Sequence, residues 1–246
     1  MLSKVLIIIP TYNEAANICR QLTELNLVRL QLAENYAITF LHIDDSSPDG
    51  TAKLASEMEL PNFTQIINAR KVGLGPAYLR GFAWGVAHDF DLFIEIDADG
   101  SHLASQLPAL LTQGLSHDLV IGARWIPGGT IENWPWYRRV ISKLGTAYAS
   151  KALGLPYQDL TSGYRVLSRN LIQSLDLETI STKGYGFQIE IAFQAHLNGF
   201  SIIEVPITFI ERSAGQSKMS FGIVLEAFKF ITKRGFQRSL KGIYRR

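Results

Sequence analysis

The first half of the chain alternates short apolar segments with amphipathic ones, and this pattern limits the possible folds more than any other feature. Segments rich in branched and aromatic residues predict five buried strands, at residues 4–9, 37–43, 63–67, 91–96 and 118–122. Helical spacing predicts helices near residues 18–25, 77–88 and 103–115, and Thr51 is the predicted N-cap of another. Strands that alternate with helices form right-handed βαβ units. The sequence therefore predicts an α/β fold, a Rossmann-like and mainly parallel sheet with helices on both faces.

The second half of the chain has a looser pattern, without internal repeats or a low-complexity linker. It predicts a helix at 140–153, a strand within "GYRVL" (163–167), a helix at 187–197 and one strand over 201–210. We therefore expect one domain over residues 1–220, followed by a basic amphipathic segment, 221–246. From Lys229 onward this segment has seven basic residues and no acidic one, although the net charge of the whole chain is only +2.

Composition and length exclude several classes of protein. No apolar run approaches the roughly 18 residues that a membrane-spanning helix needs, and the first ten residues lack the features of a signal peptide. The single cysteine, Cys19, has no partner for an internal disulfide and is interpreted as a packed thiol. We therefore expect a cytoplasmic protein with no membrane-spanning helix.

Three polar loops follow predicted strands one, two and four: "PTYNE" (10–14), "DDSSPDGT" (44–51) and "DADGSH" (97–102). Open parallel sheets bind ligands at the edge where the carboxyl ends of the strands meet, so we expect these loops to converge on one ligand. The like charges of Asp97 and Asp99 favour either a bound divalent cation or a solvated turn. Asp44 and Asp45 either accept hydrogen bonds from a base or ribose or form an Asx turn.

Other polar residues give weaker signals. "KVGLGPAY" (71–78) lacks the third glycine of a dinucleotide fingerprint, so its glycines are interpreted as turn residues. His102 is a candidate contact of the site because it follows the two aspartates, whereas His42 lies in a strand and is interpreted as structural. Basic residues in loops or at element ends are either phosphate contacts or solvated surface charges: Arg124, Arg138, Arg139, Arg212 and Lys218.

Eight segments, in this order, resemble the family-2 inverting glycosyltransferases of the dolichol-phosphate or polyprenol-phosphate mannose synthase type. They are "IIIPTYNEAANI", "IDDSSPDGTA", "GLGPAYLRGF", "DADGSH", "IGARW", "DLTSGYRV", "STKGYGFQIEI" and "EVPITFIERSAGQSKMS", and the resemblance runs from residue 4 to about residue 220. The stretch "GGTIENWPWYRRVISK" is similar to the bacterial polyprenol monophosphomannose synthases. Ser46 stands where the family usually has glycine. The resemblance implies a GT-A glycosyltransferase fold for residues 1–220.

The resemblance also implies GDP-mannose as the donor and assigns roles to residues. It assigns the nucleoside to Pro10, Tyr12, Glu14, Ile43 and Asp45. It places Asp97, Ala98 and Asp99 against the diphosphate and an Mg²⁺ or Mn²⁺ ion, with Asp97 and Asp99 as metal ligands and Asp99 the more direct. Further phosphate contacts of the donor are Arg124, Arg212 and Lys218, and those of a lipid phosphate are Arg124, Arg138 and Ser142. Candidate sugar contacts are Asp159, Gln188 and Glu190; the catalytic set is Asp97, Asp99 and Arg124.

The implied reaction transfers mannose with inversion to a polyprenyl (dolichyl-type) phosphate. The attacking phosphate oxygen is already anionic, which agrees with the lack of an obvious catalytic histidine. Segment 221–246 and "WPWY" (134–137) are candidates for peripheral contact with the cytoplasmic face of a membrane, with an integral membrane partner as an option and no role for nucleic acid. Two alternatives stay open: a related enzyme that uses another nucleotide sugar such as UDP-glucose, and a non-catalytic basic module that binds membranes or nucleic acid.

Overall fold

The structure, a computed structural model, describes residues 2–177, 180, 184–211 and 221–241. The strands are β1 Ser3–Thr11, β2 Tyr36–Asp44, β3 Phe63–Ile67, β4 Leu92–Glu95, β5 Leu119–Ala123, β6 Thr130–Glu132, β7 Arg165–Ser168, β8 Ile202–Pro206 and β9 Thr208–Ile210. The helices are α1 Ile18–Gln31, α2 Thr51–Glu57, α3 Leu74–Ala87, α4 Leu107–Gly114, α5 Trp136–Leu153, α6 Arg169–Ser174, α7 Tyr185–Leu197 and α8 Phe221–Lys241.

Seven strands form one sheet in the order β3-β2-β1-β4-β7-β5-β8. Neighbouring strands are parallel except at β7, which runs antiparallel to both β4 and β5. Side chains of β1 alternate between two apolar layers: Leu6 packs in the layer of α3, and Ile7 packs in the layer of α1. The sheet is therefore covered by helices on both faces, which confirms the predicted α/β class.

The predicted strand over 201–210 is wrong as a single element, because the chain changes sheet at Ile207. Its first half, β8, pairs with β5 in the main sheet, and its second half, β9, pairs in parallel with β6 in a separate two-stranded sheet. The side chain of Ile207 is buried at the change of direction. Strand β6 has only three residues in a loop rich in glycine and tryptophan, so its pattern did not indicate a strand.

Several helix boundaries also differ from the predictions. Helix α3 begins at Leu74 and α5 at Trp136, each a few residues before the predicted start, and the six-residue α6 was not predicted. Thr51 is the first residue of α2 and not its N-cap, which is Gly50 in a left-handed conformation (φ +87°). Asp49 supplies the capping oxygen instead, because its Oδ1 accepts hydrogen bonds from the backbone nitrogen and hydroxyl of Thr51.

The C-terminal helix packs on the main body of the protein. Helix α8 contacts α5 and α7, and its Ala227 and Ile231 are buried. Tyr148 of α5 stacks on Phe228 of α8 with ring centroids 5.1 Å apart. Within the described part of the chain, no helix combines the length and the apolar character that crossing a bilayer requires.

Candidate active site

The three polar loops lie at one edge of the main sheet. Strands β2, β1 and β4 are parallel neighbours, so the loops that follow them leave the sheet side by side. Hydrogen bonds join the first two loops: the backbone nitrogen of Asp45 donates to the carbonyl of Thr11 (3.0 Å), and that of Glu14 donates to the hydroxyl of Thr51 (2.9 Å). The sheet topology therefore brings the predicted loops together.

The turn after β4 carries Asp97 and Asp99. The Oδ1 atom of Asp99 accepts a hydrogen bond from the backbone nitrogen of Ser101 (3.0 Å), and Asp99 is buried. Gly100 has φ +77°, a left-handed conformation that favours glycine, and a Cβ there would also displace the guanidinium of Arg20. The side chain of Asp97 is 35% exposed and lies 3.5 Å from the imidazole of His102.

This turn fits a hard divalent cation that is only partly ligated by protein. Among the described residues, no group of three or more histidine, cysteine, aspartate and glutamate side chains forms a metal cluster. Two neighbouring carboxylates at a sheet edge are nevertheless the donor set that Mg²⁺ or Mn²⁺ uses when water and phosphate oxygens complete the shell.

The second acidic pair is hydrogen-bonded within the protein. Asp44 accepts bonds from the hydroxyls of Thr11 (2.8 Å) and Ser47 (2.6 Å) and from the backbone nitrogen of Ser47, three residues on. The Asx turn of this loop is made by Asp49, whose Oδ1 accepts from the backbone nitrogen of Thr51. Asp45 accepts bonds from the amide of Asn68 (2.6 Å) and from the backbone nitrogens of residues 72 and 73. Asp45 therefore fixes the loop that enters α3, where Gly73 adopts φ +96°. Gly73 shapes this turn, as predicted, whereas Gly75 lies inside α3.

The other predicted nucleoside residues are close to this edge. Pro10 lies near the end of β1, and the amine of Lys71 sits 3.8 Å from the ring centre of Tyr12. Glu14 is buried and accepts a hydrogen bond from Asn17 (2.8 Å). Ile43 is fully buried in the core beside α3. Their contacts with a nucleoside stay predictions.

Arg124 and Asp159, which were assigned to phosphate and to sugar, bind each other. The backbone nitrogen and Nε of Arg124 donate to Oδ2 of Asp159 (2.8 and 2.7 Å), and Nη2 donates to Oδ1 (2.7 Å). Both side chains are buried. The same Nη2 atom also donates to the hydroxyl of Thr161 (2.9 Å). This pair joins the end of β5 to the loop before β7.

Two of the three predicted acceptor residues, Arg138 and Ser142, lie at the start of α5. Nη1 of Arg138 donates to both carboxylate oxygens of Glu211 (2.8 and 2.6 Å), and its guanidinium lies 4.3 Å from the ring centre of Trp134. Ser142 is half-buried one helical turn further along α5. Arg212 and Lys218 lie outside the described residues, so the structure has no bearing on their predicted roles.

The sequence analysis missed a buried polar cluster around Arg165. Its guanidinium, fully buried, donates to the backbone carbonyls of Leu160 (2.7 Å), Ser162 (2.9 Å) and Gln188 (2.7 Å). Burial lowers the pKa of Arg165 to about 10, and burial raises the pKa of the opposite carboxyl, Glu95 on β4, to about 7. The available signal was a charged residue inside each of two apolar strand segments.

Arg165 connects the elements that carry the predicted sugar residues. Arg165 binds the carbonyl of Gln188, whose side chain is buried on α7, and Glu190 is buried two residues further on. Its other two bonds hold the 160–162 loop next to Asp159. The three candidate sugar residues thus lie on two elements, the loop before β7 and helix α7, that Arg165 connects.

The two histidines of interest have different surroundings. The ring of His102 is buried between Tyr164 and Phe209, each 5.2 Å away, and burial lowers its pKa to about 4. His42 is structural, as predicted. Because the hydroxyl of Thr11 donates to Asp44, Nε2 of His42 donates to that hydroxyl (2.7 Å), and Nδ1 accepts from Gln65 (2.9 Å). Burial lowers the pKa of His42 to about 4.

The separate two-stranded sheet touches the aspartate turn. The backbone nitrogen of Ile210 in β9 donates to the carbonyl of Ser101 (3.0 Å), and His102 forms a β-bridge with Phe209. The same sheet holds Glu211, the partner of Arg138, at the end of β9. The change of sheet at residue 207 therefore positions the aspartate turn and the start of α5 side by side.

Comparison with known proteins identifies the family. The model of glycosyl transferase family 2 matches residues 6–176. The undecaprenyl-phosphate mannosyltransferase of Micrococcus luteus is 44% identical over 98% of this chain and 97% of its own length. The polyprenol monophosphomannose synthase of Mycolicibacterium smegmatis is 42% identical over 96% of this chain and 89% of its own.

The fold is also that of solved glycosyltransferases. Glucosyl-3-phosphoglycerate synthase from Mycobacterium tuberculosis, in complex with Mn²⁺, uridine diphosphate and phosphoglyceric acid, matches 95% of this chain and 78% of its own with a TM-score of 0.69 at 17% identity. The likeness extends through the seven-stranded sheet, so the fold is GT-A. This chain therefore belongs to glycosyl transferase family 2 and is a glycosyltransferase.

Proposed function

We propose that the protein transfers mannose from GDP-mannose to a polyprenyl phosphate with inversion, giving β-mannosyl phosphoryl polyprenol and GDP. The observation that carries the proposal is the aspartate turn, Asp97 to Asp99, at the same sheet edge as the two hydrogen-bonded loops after β1 and β2. The names of the M. luteus and M. smegmatis relatives support a polyprenyl phosphate as the acceptor and a lipid-linked mannose as the product.

The donor is proposed to lie across this edge. Its nucleoside contacts Pro10, Tyr12, Glu14, Ile43 and Asp45, and its diphosphate lies against Asp97, Ala98 and Asp99, with Arg124, Arg212 and Lys218 as further phosphate contacts. Asp97 and Asp99 would hold an Mg²⁺ or Mn²⁺ ion, which would supply positive charge against the diphosphate. The Mn²⁺ in the M. tuberculosis synthase complex supports a divalent metal.

The proposed reaction needs positioning more than proton transfer. A phosphate oxygen of the acceptor forms the new bond to the anomeric carbon while the bond from that carbon to the GDP oxygen breaks, and GDP leaves with the electron pair. Arg124, Arg138 and Ser142 hold the acceptor phosphate, and Asp159, Gln188 and Glu190 orient the sugar. Alignment of two anionic substrates by fixed cationic groups accounts for catalysis without a general base.

We also propose that the protein binds the cytoplasmic face of a membrane through α5 and segment 221–246, beside catalytic domain 1–220. Helix α5 exposes large apolar side chains along one face, with Trp136 77%, Ile141 66% and Leu144 65% exposed. Adjacent α8 adds the exposed side chains Phe228 and Lys233. Apolar and basic groups on one surface suit an anionic bilayer, and the acceptor is itself a lipid.

The test is transfer of labelled mannose from GDP-mannose to polyprenyl phosphate, with and without Mg²⁺, by the wild type and by Asp99→Asn. We expect a metal-dependent mannosyl lipid from the wild type and at least a hundredfold loss in the variant, typical for removal of a group that stabilises transferred charge. Asp91→Asn, at the opposite end of β4, is the matched control and should retain activity, because its bond from Lys4 needs only a carbonyl oxygen.

Three results would change the proposal. Equal activity of Asp99→Asn and Asp91→Asn would remove the metal site. Preference for UDP-glucose over GDP-mannose in competition would assign a different donor to the same fold. Failure of folded wild-type protein to use any nucleotide sugar would remove the transferase reaction on lipid phosphates and favour a non-catalytic membrane-binding role.

A further inference from the structure

A cleft of about 400 Å³ lies between the end of β5, strand β6 and helix α5. Its walls are lined by Arg124, whose guanidinium pairs with Asp159, by Arg139, and by the apolar side chains of Trp125, Ile126 and Ile131. None of the described lining residues is acidic. The cleft therefore suits a ligand that has an anionic group joined to an apolar group.

Arg139 is held in a defined position in this cleft. Its Nη2 atom donates to the carbonyl of Ile131 in β6 (2.8 Å), which directs the guanidinium toward the wall formed by that strand. Its neighbour Arg138 has a different environment, because Glu211 and the ring of Trp134 already contact that guanidinium. Two successive arginines of α5 thus have separate partners, and Arg139 is the one that lines the cleft with Arg124.

The cleft is also close to the exposed apolar surface of α5. Trp136, which is exposed, lies three positions before Arg139 and is therefore its neighbour on the surface of the helix. A lipid whose chain rests against this surface would bring its headgroup to the start of α5. Arginine binds phosphate through two parallel donors, which distinguishes it from a lysine at the same place.

We infer that this cleft is the subsite for the head of the acceptor: Arg139 binds the phosphate of the polyprenyl phosphate, and Ile126, Ile131 and Trp125 pack against its first isoprene units. This inference rests on the proposed function for its acceptor class. It adds Arg139 to the residues that contact the acceptor. It also makes the β5–β6 loop the part of the protein that selects a phosphate attached to an apolar chain.

The test compares Arg139→Gln with Lys143→Gln, a matched loss of one positive charge a helical turn further along α5, where Lys143 is exposed. The acceptor is a short-chain isoprenyl monophosphate that is soluble without membranes, so that bilayer binding does not contribute. We expect Arg139→Gln to raise the KM for this acceptor about tenfold or more, as for loss of a charge-assisted hydrogen bond. The KM for the nucleotide sugar should stay unchanged, and Lys143→Gln should change neither value.

Arg139→Lys separates charge from geometry, since lysine keeps the charge and loses the paired donors; we expect a KM between those of the wild type and Arg139→Gln. An equal rise in KM for Arg139→Gln and Lys143→Gln would mean general electrostatic attraction and would overturn the inference. So would an unchanged KM in Arg139→Gln, and in that case the proposed transfer reaction would still stand.

A binding measurement covers the case in which no nucleotide sugar is used. Trp125 lines the cleft, so its fluorescence should change when the soluble isoprenyl monophosphate is added and should lose that change in Trp125→Phe. Inorganic phosphate should bind at least tenfold more weakly, because it lacks the apolar part. Binding of the isoprenyl phosphate without transfer would remove the proposed reaction and keep the subsite; equal affinity for the two phosphates would overturn the subsite.

Discussion

Replacement of Asp159 by asparagine should destabilise the protein strongly. The carboxylate is buried and accepts three hydrogen bonds of 2.7–2.8 Å from Arg124, two at Oδ2 and one at Oδ1. Asparagine has one carbonyl oxygen and one amide, so in either orientation its amide meets a donor of Arg124. The variant loses at least one bond and leaves a guanidinium buried without its counter-charge.

The expected size follows from this geometry. Removal of one partner from a buried ion pair costs about 3–5 kcal/mol, because the remaining charge is left without compensation. For a chain of this size, 1 kcal/mol lowers the Tm by about 2–4 °C, so we expect Asp159→Asn to lower the Tm by about 6–20 °C. Circular dichroism at pH 7, together with urea unfolding, measures both quantities.

The control is Asp89→Asn, which breaks the exposed ion pair with Arg169 (2.9 Å). Asp89 is 77% exposed and has φ +59°, a conformation that asparagine also tolerates, so its loss should cost less than about 1 kcal/mol. A Tm for Asp159→Asn within 2 °C of that of Asp89→Asn would refute the assignment of Asp159 to a structural ion pair. It would instead show that the fold does not need the charge of this carboxylate.

Two further predictions concern groups near the sheet edge. Burial holds the pKa of His42 at about 4, below its ordinary 6.5, so the unfolded chain takes up a proton first as the pH falls. The stability of the wild type should therefore drop between pH 6.5 and 4 by up to about 3 kcal/mol relative to that of His42→Gln. Glutamine at this position keeps a donor for Thr11. Urea unfolding at pH 7 and pH 4.5 measures this, and equal pH dependence of the two proteins would contradict it. Glu211→Gln should lower the KM for polyprenyl phosphate several-fold, because the carboxylate no longer competes with phosphate for Arg138, whereas Glu132→Gln on adjacent β6 should not. A higher KM in Glu211→Gln would show that the carboxylate orients the arginine instead.

The parallel sheet was predictable because each of its first five strands is apolar and bounded by polar turns. Strands β1, β4 and β5 are buried on both faces, so they show as continuous apolar runs, and the polar loops after β1, β2 and β4 mark the carboxyl ends of those strands. The break at Ile207 was not predictable, because β8 and β9 form one apolar run in sequence. Only the partner strands, β5 for one half and β6 for the other, divide that run.

The ion pairs of the site were beyond sequence reasoning for a related reason. Arg124 and Asp159 lie 35 positions apart, and Arg138 and Glu211 lie 73 apart, so neither pair shows a local pattern. Each residue alone has the appearance of a ligand contact, since charged residues in loops are usually exposed. The small sheet of β6 and β9 creates the second pair, and that sheet was itself unpredicted.

The five aspartates at this edge are of two kinds, which differ in the hydrogen bonds that their carboxylates accept. Asp44, Asp45 and Asp159 accept hydrogen bonds that join separate loops, so a ligand at any of them has to add to those bonds and not replace them. Asp97 and Asp99 lie on one turn whose conformation is set by a left-handed glycine and by a bond to the backbone two residues on. Neutralising the first kind should therefore lower stability, whereas neutralising the second should lower activity at an unchanged Tm. A carboxylate pair on one such turn is suited to hold a metal and a diphosphate.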